Sequence, residues 1–370
     1  MGAGLRIATD RLPRMRIFYV LGTRPNVVKM APVIAALRDR MPAANHVVVH
    51  TGQHYDRMMS DVFLDELRVP EPDHALGVGS GSHAVQTARV MERLAPLLEQ
   101  ERPDLLIVPG DVNSTMAAAL VAVKLGIPLA HVESGLRSFD RTMPEEINRI
   151  VTDQFSDHLF LHSEEAIGNL RREGIGDERM HFVGNTMIDA LVAAEQHFRA
   201  RAAAQRFGLA RGKYMLVTLH RPNLVDGPRL RDVMASLERV AAELPVLFPV
   251  HPRTRRGLDP QGIAPQVQLV DPVGYLDFLS LEADAAAVLT DSGGVQEETT
   301  FLGVPCFTLR DTTERPVTVT HGTNTVLGLK PERIAEIPGL VRGERKPAQV
   351  PPLWDGHAAE RIADVLAAPA

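Results

Sequence analysis

The 370-residue chain is 45% hydrophobic and 23% charged, a composition typical of folded globular proteins and unlike collagen-like, coiled-coil or wholly disordered chains. Its 40 Lys and Arg against 46 Asp and Glu give a net charge of −6 with no basic block, which excludes the electrostatic pattern of a nucleic-acid-binding protein. The single cysteine, Cys306, excludes an intramolecular disulfide framework and a thiolate metal cluster.

The N-terminal residues 1–14 contain Arg6, Asp10 and Arg11 where a secretory signal would have its apolar core, so we expect a cytoplasmic protein. We interpret these residues as a flexible extension ahead of the fold. The longest apolar stretch, Met116 to Val132, is interrupted by Lys124, so no membrane-spanning segment is expected.

From Met15 onward, apolar runs alternate with helix-patterned segments, which predicts an α/β fold with parallel sheets. The first such unit is predicted to span residues 15–184 and to be doubly wound. Its predicted strands are Arg16–Leu21, His46–His50, Asp104–Val108, Ile127–Val132 and His158–Leu161, and its helices include Val27–Asp39, Ala84–Gln100 and Ser114–Leu125.

The same alternation begins again after a charged helical stretch near residues 190–206 and predicts a second, similar domain over residues 185–354. Gly184–Thr186 is the predicted hinge, because Gly and Asn tolerate unusual backbone angles. Residues 355–370 contain a last predicted helix, Gly356–Ala367. The sequence leaves open whether this helix packs against the first domain. The predicted strands of the second domain are Tyr214–Leu219, Val246–Val250, Val267–Leu269, Ala286–Leu289 and Cys306–Thr308.

Two carboxylates directly follow apolar strands in the first domain. Asp111 comes after Leu105–Val108, and Glu133 comes after Ile127–Val132. Because ligands bind beyond the carboxyl ends of parallel strands, such a pair is suited to acid–base chemistry on one ligand. The alternative is structural: Asp111 caps the helix that begins near Ser114, and Glu133 acts similarly in its own loop.

Two segments have the features of anion sites at helix starts. Gly22–Asn26 with Lys29 follows the first strand, and Ser292, Gly293 and Gly294 follow the strand that ends at Leu289. Neither a dinucleotide fingerprint nor a Walker loop is present, so a nucleoside diphosphate without nicotinamide is favoured.

Further polar residues follow strands of the second domain. Of Glu297 and Glu298, we predict that one holds ribose hydroxyls and that the other faces solvent. His220 and His251 each follow a strand, where a histidine serves phosphate binding, proton transfer or a purely structural hydrogen bond. Among the 14 histidines, the pairs His46/His50 and His158/His162 are four residues apart but fall at predicted strands rather than on a helix, and no H-E-x-x-H motif occurs, so no metal site is predicted.

In combination these residues resemble the non-hydrolysing UDP-N-acetylglucosamine 2-epimerases over nearly the whole chain from Met15. The resemblance depends on the joint occurrence of short motifs rather than on any one of them. In chain order they are Gly-Thr-Arg-Pro at 22–25 with Lys29, Thr-Gly-Gln-His at 51–54, Gly-Asp at 110–111, His-Val-Glu-Ser-Gly-Leu-Arg at 131–137, Met-Pro-Glu-Glu-Ile-Asn-Arg at 143–149, Gly-Asn-Thr at 184–186, His-Arg at 220–221, Asp-Ser-Gly-Gly-Val-Gln-Glu-Glu at 291–298 and Arg-Asp-Thr-Thr-Glu-Arg-Pro at 310–316.

The resemblance implies two Rossmann-like domains facing each other across a cleft, the glycosyltransferase-B architecture, in a homodimer. It implies a UDP-sugar substrate and no cofactor. It implies catalytic roles for Asp111, Glu133, Glu145 and His220, and substrate-binding roles for Arg24, Lys29, Phe278 (uracil), Ser292, Gly293 and Gly294 (diphosphate), Glu298 (ribose) and Arg315.

The implied reaction eliminates UDP across carbons 1 and 2 of the sugar to give 2-acetamidoglucal, and adds UDP back after protonation of carbon 2 on the opposite face. It needs acid–base groups near carbon 2, for which a raised pKa in one carboxylate is expected. It also needs stabilisation of the leaving diphosphate and a closed cleft.

Two departures from the family pattern concern the sugar pocket and regulation. Leu224 replaces a usual Asn after His220-Arg221, so a different sugar pocket is predicted. Some bacterial members have a regulatory site for a second UDP-N-acetylglucosamine, and the matching residues Gln53, His54 and His251 are present here. Residues 55–56 read Tyr-Asp where Arg-Glu is frequent, which leaves such regulation open.

Other functions remain open from the sequence alone. A hydrolysing relative would release N-acetylmannosamine and UDP, and other relatives act on modified acetamido sugars. A retaining glycosyltransferase would share the architecture but need an acceptor, and a non-catalytic UDP-sugar sensor would bind without turnover.

Overall fold

A computed structural model describes residues 15–52, 71–258, 264–343 and 348–368, which contain two parallel β-sheets. The strand orders are β3-β2-β1-β4-β5-β6-β7 and β10-β9-β8-β11-β12-β13, as in Rossmann-like units. The predicted fold class is therefore confirmed. The strands are β1 (Arg16–Leu21), β2 (Asn45–His50), β3 (His74–Ala75), β4 (Leu105–Pro109), β5 (Leu129–Ser134), β6 (His158–Leu161), β7 (Met180–Phe182), β8 (Met215–Thr218), β9 (Val246–Pro249), β10 (Val267–Val270), β11 (Ala287–Thr290), β12 (Cys306–Thr308) and β13 (Asn324–Val326).

Helices occupy the connections between strands, because a parallel pair needs a crossover. None of them, within the described ranges, is long and apolar enough to cross a membrane. The α-helices span Arg24–Arg40, His83–Glu101, Asn113–Leu125, Pro144–Phe155, Glu165–Arg172, Thr186–Arg201, Ala203–Arg206, Pro222–Val225, Arg229–Ala241, Pro252–Arg255, Tyr275–Asp284, Gly293–Leu302, Val317–Thr320, Ile337–Arg342 and Ala358–Ala367, and 3₁₀ helices span Asp177–Arg179 and Pro331–Glu336.

The observed strands differ from the predicted ones by at most two residues at either end. The largest shift is in β5, which begins at Leu129 because Gly126 ends the preceding helix in a left-handed conformation with φ 67°. β5 then continues through Glu133 to Ser134. The short strands β3, β7 and β13 were not predicted, since two or three residues are too few to show an apolar pattern.

The central strand β1 shows why the apolar runs become buried strands. Its residues Ile17 to Leu21 are at most 1% exposed. Ile17, Tyr19 and Leu21 pack in one apolar cluster, and Phe18 and Val20 pack in another. Because successive side chains point to opposite faces, this arrangement buries both faces of the sheet and leaves the strand ends for polar residues.

The Thr186–Arg201 helix connects the two sheets and packs on both. Met187 and Ala190 belong to the apolar cluster of the first domain, whereas Leu191 and Phe198 pack with residues of the Tyr275–Asp284 helix. Just before this helix, Gly184 has φ 93°, and a Cβ there would lie 2.0 Å from the carbonyl oxygen of Leu353. Only glycine fits where the C-terminal segment crosses the connection.

The C-terminal helix, Ala358–Ala367, packs against the first domain. Ile362 and Ala363 share an apolar cluster with Ile34 of the Arg24–Arg40 helix. Asp189 of the connecting helix accepts hydrogen bonds from the backbone N–H groups of Ala358, at 3.2 Å, and Ala359, at 2.6 Å. A side chain distant in sequence thus caps the start of the last helix, whose own N-cap residue, His357, makes no side-chain cap.

Asp189→Ala is expected to destabilise the protein by about 1–2 kcal/mol, the usual loss for removing a helix N-cap carboxylate. The measurement is the free energy of unfolding from denaturant titration. Asp364→Ala serves as the control, because that carboxylate is exposed and its ion pair is with the exposed Arg40. Equal stability of the two variants would mean that the cap contributes nothing.

Candidate active site

Asp111 and Glu133 lie at the carboxyl ends of two adjacent strands of the first sheet. β4 and β5 are parallel, as predicted, and they pair directly, with Pro109 opposite Val132. This edge of the sheet is where open α/β folds bind ligands.

Glu133 occupies an irregular position in β5. Its φ of 68° is in the left-handed region, and the register of β5 against β6 shifts between Val132 and Ser134. For a residue with a side chain this conformation costs about 1–3 kcal/mol, and it persists where the surrounding structure imposes it. A bulge of this kind redirects a side chain, here toward Lys29, whose Nζ donates to Oε1 of Glu133 at 2.7 Å.

Lys29 is buried at 6% exposure, in the second turn of the Arg24–Arg40 helix. Next to it, Gly110 has φ 64°, and a Cβ there would lie 3.3 Å from the Lys29 Nζ. The turn after β4 therefore needs glycine both for its backbone angle and for the close approach of the ammonium group.

Asp111 is paired with Arg149, whose Nη2 donates to its carboxylate. Burial acts to raise the pKa of Asp111, but the nearby cations Arg149, Lys29 and Arg315 outweigh it and hold the pKa below its ordinary value. The raised pKa expected for one catalytic carboxylate is therefore not found at Asp111. The capping alternative is also wrong, because the N-cap of the Asn113–Leu125 helix is Val112 and no side chain caps it.

Glu145 and Glu146 stand next to each other in the first turn of the Pro144–Phe155 helix, in different surroundings. Glu145 is half-buried, and its charge acts on Arg221 of the second domain. Glu146 is buried and accepts from the backbone N–H groups of Ser138 and Phe139 at 2.8 and 2.9 Å. Glu146 thus holds a loop, whereas the half-buried Glu145 is close enough to the second domain for its charge to act on Arg221.

The predicted diphosphate turn begins the Gly293–Leu302 helix. Its N-cap, Ser292, makes no side-chain cap. A Cβ at Gly293 would lie 2.4 Å from Nη1 of Arg315, and one at Gly294 would lie 2.8 Å from Cε of Met187. Arg315 is held in place by three carboxylates, so glycine is required at 293, whereas the flexible Met187 side chain can shift away from a Cβ at 294.

Arg315 is buried at 4% exposure and connects the two domains. Its Nη2 lies 3.3 Å from Glu133 of the first domain, while its Nη1 donates to Glu314 at 2.7 Å and its Nε donates to Glu297. Arg149 of the first domain also lies 3.6 Å from Glu314. Four carboxylates and four cations therefore alternate across the interface, namely Asp111, Glu133, Glu297 and Glu314 with Lys29, Arg149, Arg310 and Arg315.

Glu297 and Glu298 are both buried, so the prediction that one of them faces solvent is wrong. Burial acts to raise the pKa of Glu297, but Arg315 and His162 lower it to about 2. Glu298 instead accepts from the Tyr275 hydroxyl at 3.1 Å, and burial together with Glu297 raises its pKa to about 8. A carboxyl group that titrates near neutrality can both donate to and accept from hydroxyl groups.

His220 is oriented by Asp291, a residue to which the sequence assigned no role. The Nδ1 of His220 lies 2.9 Å from Oδ1 of Asp291, and Oδ2 accepts from the backbone N–H groups of His220 and Arg221 at 2.9 and 2.8 Å. Burial acts to raise the pKa of Asp291, but His220 and these N–H groups lower it. The His220 side chain is 43% exposed, so solvent can reach the ring that Asp291 orients.

The remaining predicted residues lie in several places. Arg24 begins its helix and is half-buried, and Phe278 is partly buried against an apolar cluster of the second domain.

Leu224 is 0% exposed within the core of the second domain, so it does not line the site. His251 is exposed, with its ring 6.0 Å from that of His220, while Gln53 and His54 lie outside the described residues.

No group of His, Cys, Asp and Glu side chains in the part of the chain that the structure describes has the arrangement of a metal site. The buried carboxylates of the interface face Lys and Arg side chains instead.

Comparisons with known proteins show the family to which the chain belongs. A family model described as UDP-N-acetylglucosamine 2-epimerase matches residues 36–367. A UDP-N-acetylglucosamine 2-epimerase of Methanocaldococcus jannaschii is 41% identical over 365 residues, covering 95% of this chain and 99% of that protein. A UDP-2,3-diacetamido-2,3-dideoxy-D-glucuronate 2-epimerase of Pseudomonas aeruginosa is 40% identical over 358 residues, covering 95% and 99%. A crystal structure of the M. jannaschii enzyme in complex with UDP-GlcNAc and UDP superposes with a TM-score of 0.88 at 40% identity, covering 95% of this chain and 99% of that one.

Proposed function

The chain belongs to the UDP-N-acetylglucosamine 2-epimerase family, and on that premise we propose that it interconverts UDP-N-acetylglucosamine and UDP-N-acetylmannosamine without net hydrolysis. The observation that carries this proposal is the pair Asp111 and Glu133 on adjacent strand ends, with Arg315 of the second domain against Glu133. Two carboxylates and a phosphate-binding cation are what an elimination at carbons 1 and 2 requires.

In the proposed reaction, one carboxylate takes the proton from carbon 2, and the bond between carbon 1 and the UDP oxygen breaks. The electron pair of the C2–H bond forms the double bond of 2-acetamidoglucal, and UDP leaves with the pair of the broken bond. A second group then protonates carbon 2 on the opposite face, and UDP adds back to carbon 1. No electrons are gained or lost overall, so the reaction requires no nicotinamide.

The charged interface supports the assignment of roles. Asp111 and Glu133 are proposed as the proton-transfer pair, with Glu145 as a third carboxylate. Ser292, Gly293, Gly294 and Arg315 are proposed to hold the diphosphate, with His220 beside it and Arg24 and Lys29 adding charge. Glu298 is proposed to bind ribose and Phe278 uracil. Direct contacts between the domains would keep water from the glucal.

We further propose that the protein is a cytoplasmic homodimer. Exposed apolar side chains on neighbouring helices support self-association, because Val85 and Ile147 are each 44% exposed. They belong to the His83–Glu101 and Pro144–Phe155 helices, which border a cleft of about 350 Å³. Light scattering coupled to size exclusion would give the mass in solution, and a monomer would contradict the proposal.

A second candidate function is 2-epimerisation of a modified acetamido sugar, which the 40% identity to the P. aeruginosa enzyme favours. The experiment is to incubate the full chain with UDP-N-acetylglucosamine or with UDP-2,3-diacetamido-2,3-dideoxy-D-glucuronate and to separate the products. UDP-N-acetylmannosamine supports the main proposal, and turnover of the glucuronate alone supports the second. Free N-acetylmannosamine with UDP would indicate the hydrolysing reaction, and binding without turnover would contradict both epimerase proposals.

Gly293→Ala is expected to weaken UDP binding about tenfold, because the added methyl group overpacks a site in which three carboxylates hold Arg315. Isothermal titration with UDP measures the effect. Gly339→Ala is the matched control, since a Cβ there meets nothing within 4 Å. If both variants bound UDP as the wild type does, Gly293 would not belong to the diphosphate site.

A further inference from the structure

A histidine outside the predicted set lies where the two domains meet. His162 directly follows β6 of the first sheet, and its side chain is 2% exposed. The indole nitrogen of Trp354 donates to the backbone carbonyl of His162 at 2.8 Å, and the two rings meet edge-on with centroids 5.8 Å apart. The C-terminal segment therefore fixes the position of this histidine.

The ring of His162 faces Glu297 of the second domain. Its Nε2 lies 3.2 Å from Oε1 of that carboxylate. The distance is short enough for an ion pair, but the two groups are not aligned for a hydrogen bond. Within the described residues, both ring nitrogens and Oε2 of Glu297 lack an aligned hydrogen-bond partner. Buried polar atoms are nearly always satisfied in folded proteins, so this unsatisfied pair calls for a functional explanation.

Glu297 in turn is one of the three carboxylates that position Arg315. The same Oε1 that faces His162 accepts from Nε of Arg315. The guanidinium touches the diphosphate turn, since a Cβ at Gly293 would lie 2.4 Å from its Nη1. A displacement of Glu297 would therefore move the guanidinium relative to that turn and to Glu133.

We propose that His162 is a positioning residue: when the domains come together, its ring sets Glu297 and thereby aims the Arg315 guanidinium at the diphosphate turn. The inference rests on the proposed function, which places the diphosphate there. The contact exists only where the domains meet, because His162 follows the first sheet and Glu297 belongs to the Gly293–Leu302 helix of the second domain. Misplacing a group that stabilises a leaving group lowers kcat more than it raises KM.

His162→Phe keeps a ring against Trp354 and removes both nitrogens, whereas His162→Gln keeps an N–H donor. We expect His162→Phe to lower kcat about 30-fold and to raise KM less than about threefold. His162→Gln should recover at least about a third of the wild-type kcat, because its amide can still face Glu297. His158→Phe, the same substitution at the other end of β6, is the control and should leave kcat within about twofold.

A double-variant cycle separates positioning from general damage to the fold. In a Glu297→Gln background, His162→Phe should lower kcat no further, because the interaction has already lost its partner. Wild-type kcat in His162→Phe, no recovery in His162→Gln, or effects that multiply in the double variant would each overturn the proposal. If His162→Phe melts below the assay temperature, His162→Asn replaces it, since its shorter amide is expected to miss Oε1 and to lower kcat similarly.

UDP titration distinguishes failure of this inference from failure of the proposed function. If the wild-type protein turned over no UDP-N-acetylglucosamine, that result would contradict the proposed function. The role of His162 would then be tested by the UDP titration. His162→Phe should then weaken UDP binding about fivefold and His162→Gln less than about twofold. Equal dissociation constants for the wild type and His162→Phe would overturn the positioning role.

Discussion

Asp111→Asn and Glu133→Gln are each expected to lower kcat by about 10²–10⁴-fold, the usual contribution of a general acid or base. Either amide retains the size and one acceptor oxygen of the carboxylate but cannot take a proton from carbon 2. We expect the fold to survive, because Arg149 and Lys29 can still donate to the amide oxygen. The measurement is turnover of UDP-N-acetylglucosamine, together with the rise in thermal midpoint that UDP produces.

UDP should still protect both variants against heat, because the diphosphate turn lies on the second domain and is untouched. Glu145→Gln is expected to lose most turnover in the same way. Glu195→Gln is the control, since that carboxylate is exposed and its ion pair is with Arg199 on its own helix. Near-normal rates in all three variants at Asp111, Glu133 and Glu145 would show that the proton-transfer site lies elsewhere.

Arg315→Ala is expected to reduce both UDP affinity and stability. The guanidinium contacts Glu133, Glu297 and Glu314, and its removal leaves these buried carboxylates without a shared cation. Breaking a buried ion pair of this kind typically costs about 3–5 kcal/mol of stability. Loss of a charge-assisted phosphate contact should weaken UDP binding about 100-fold.

Arg315→Lys distinguishes charge from geometry. Lysine restores the positive charge but cannot donate to three carboxylates in the planar arrangement of a guanidinium. We expect it to recover most of the stability and only part of the UDP affinity, as measured by denaturation and calorimetry. Arg342→Ala is the control, because Arg342 is exposed and pairs with the exposed Glu243 on the surface. A lysine variant with wild-type affinity would contradict a role for the guanidinium geometry.

The sequence predicts those parts of the fold and site that depend on local pattern. Apolar runs predicted the strand positions to within two residues. Asp111, which follows β4, and Glu133, near the end of β5, were identified as candidate site residues because they come directly after apolar runs. The bulge that turns Glu133 toward Lys29 has no such local signal, because β-branched and polar residues surround Glu133 as they do in regular strands.

Contacts between the domains were not predicted, since they join residues far apart in the chain. Arg315 and Glu133 are separated by 182 positions, and nothing local indicates that they meet. The same limit explains the error at Glu297: the helix face that looks solvent-exposed in one domain is covered by His162 of the other. Leu224 is a similar case, because its replacement of a usual Asn suggested a different sugar pocket, whereas the short Pro222–Val225 helix turns its side chain into the core.

The proposed function depends on proton exchange at carbon 2 of the sugar during reversible loss of UDP. The most direct measurement incubates the protein with UDP-N-acetylglucosamine in D2O, without nicotinamide or an acceptor, and follows the sugar protons by NMR. We predict deuterium at carbon 2 in both UDP-N-acetylglucosamine and the UDP-N-acetylmannosamine that forms, with none in the Glu133→Gln sample. Formation of UDP-N-acetylmannosamine that retains its proton at carbon 2, or an unchanged spectrum, would contradict the claim.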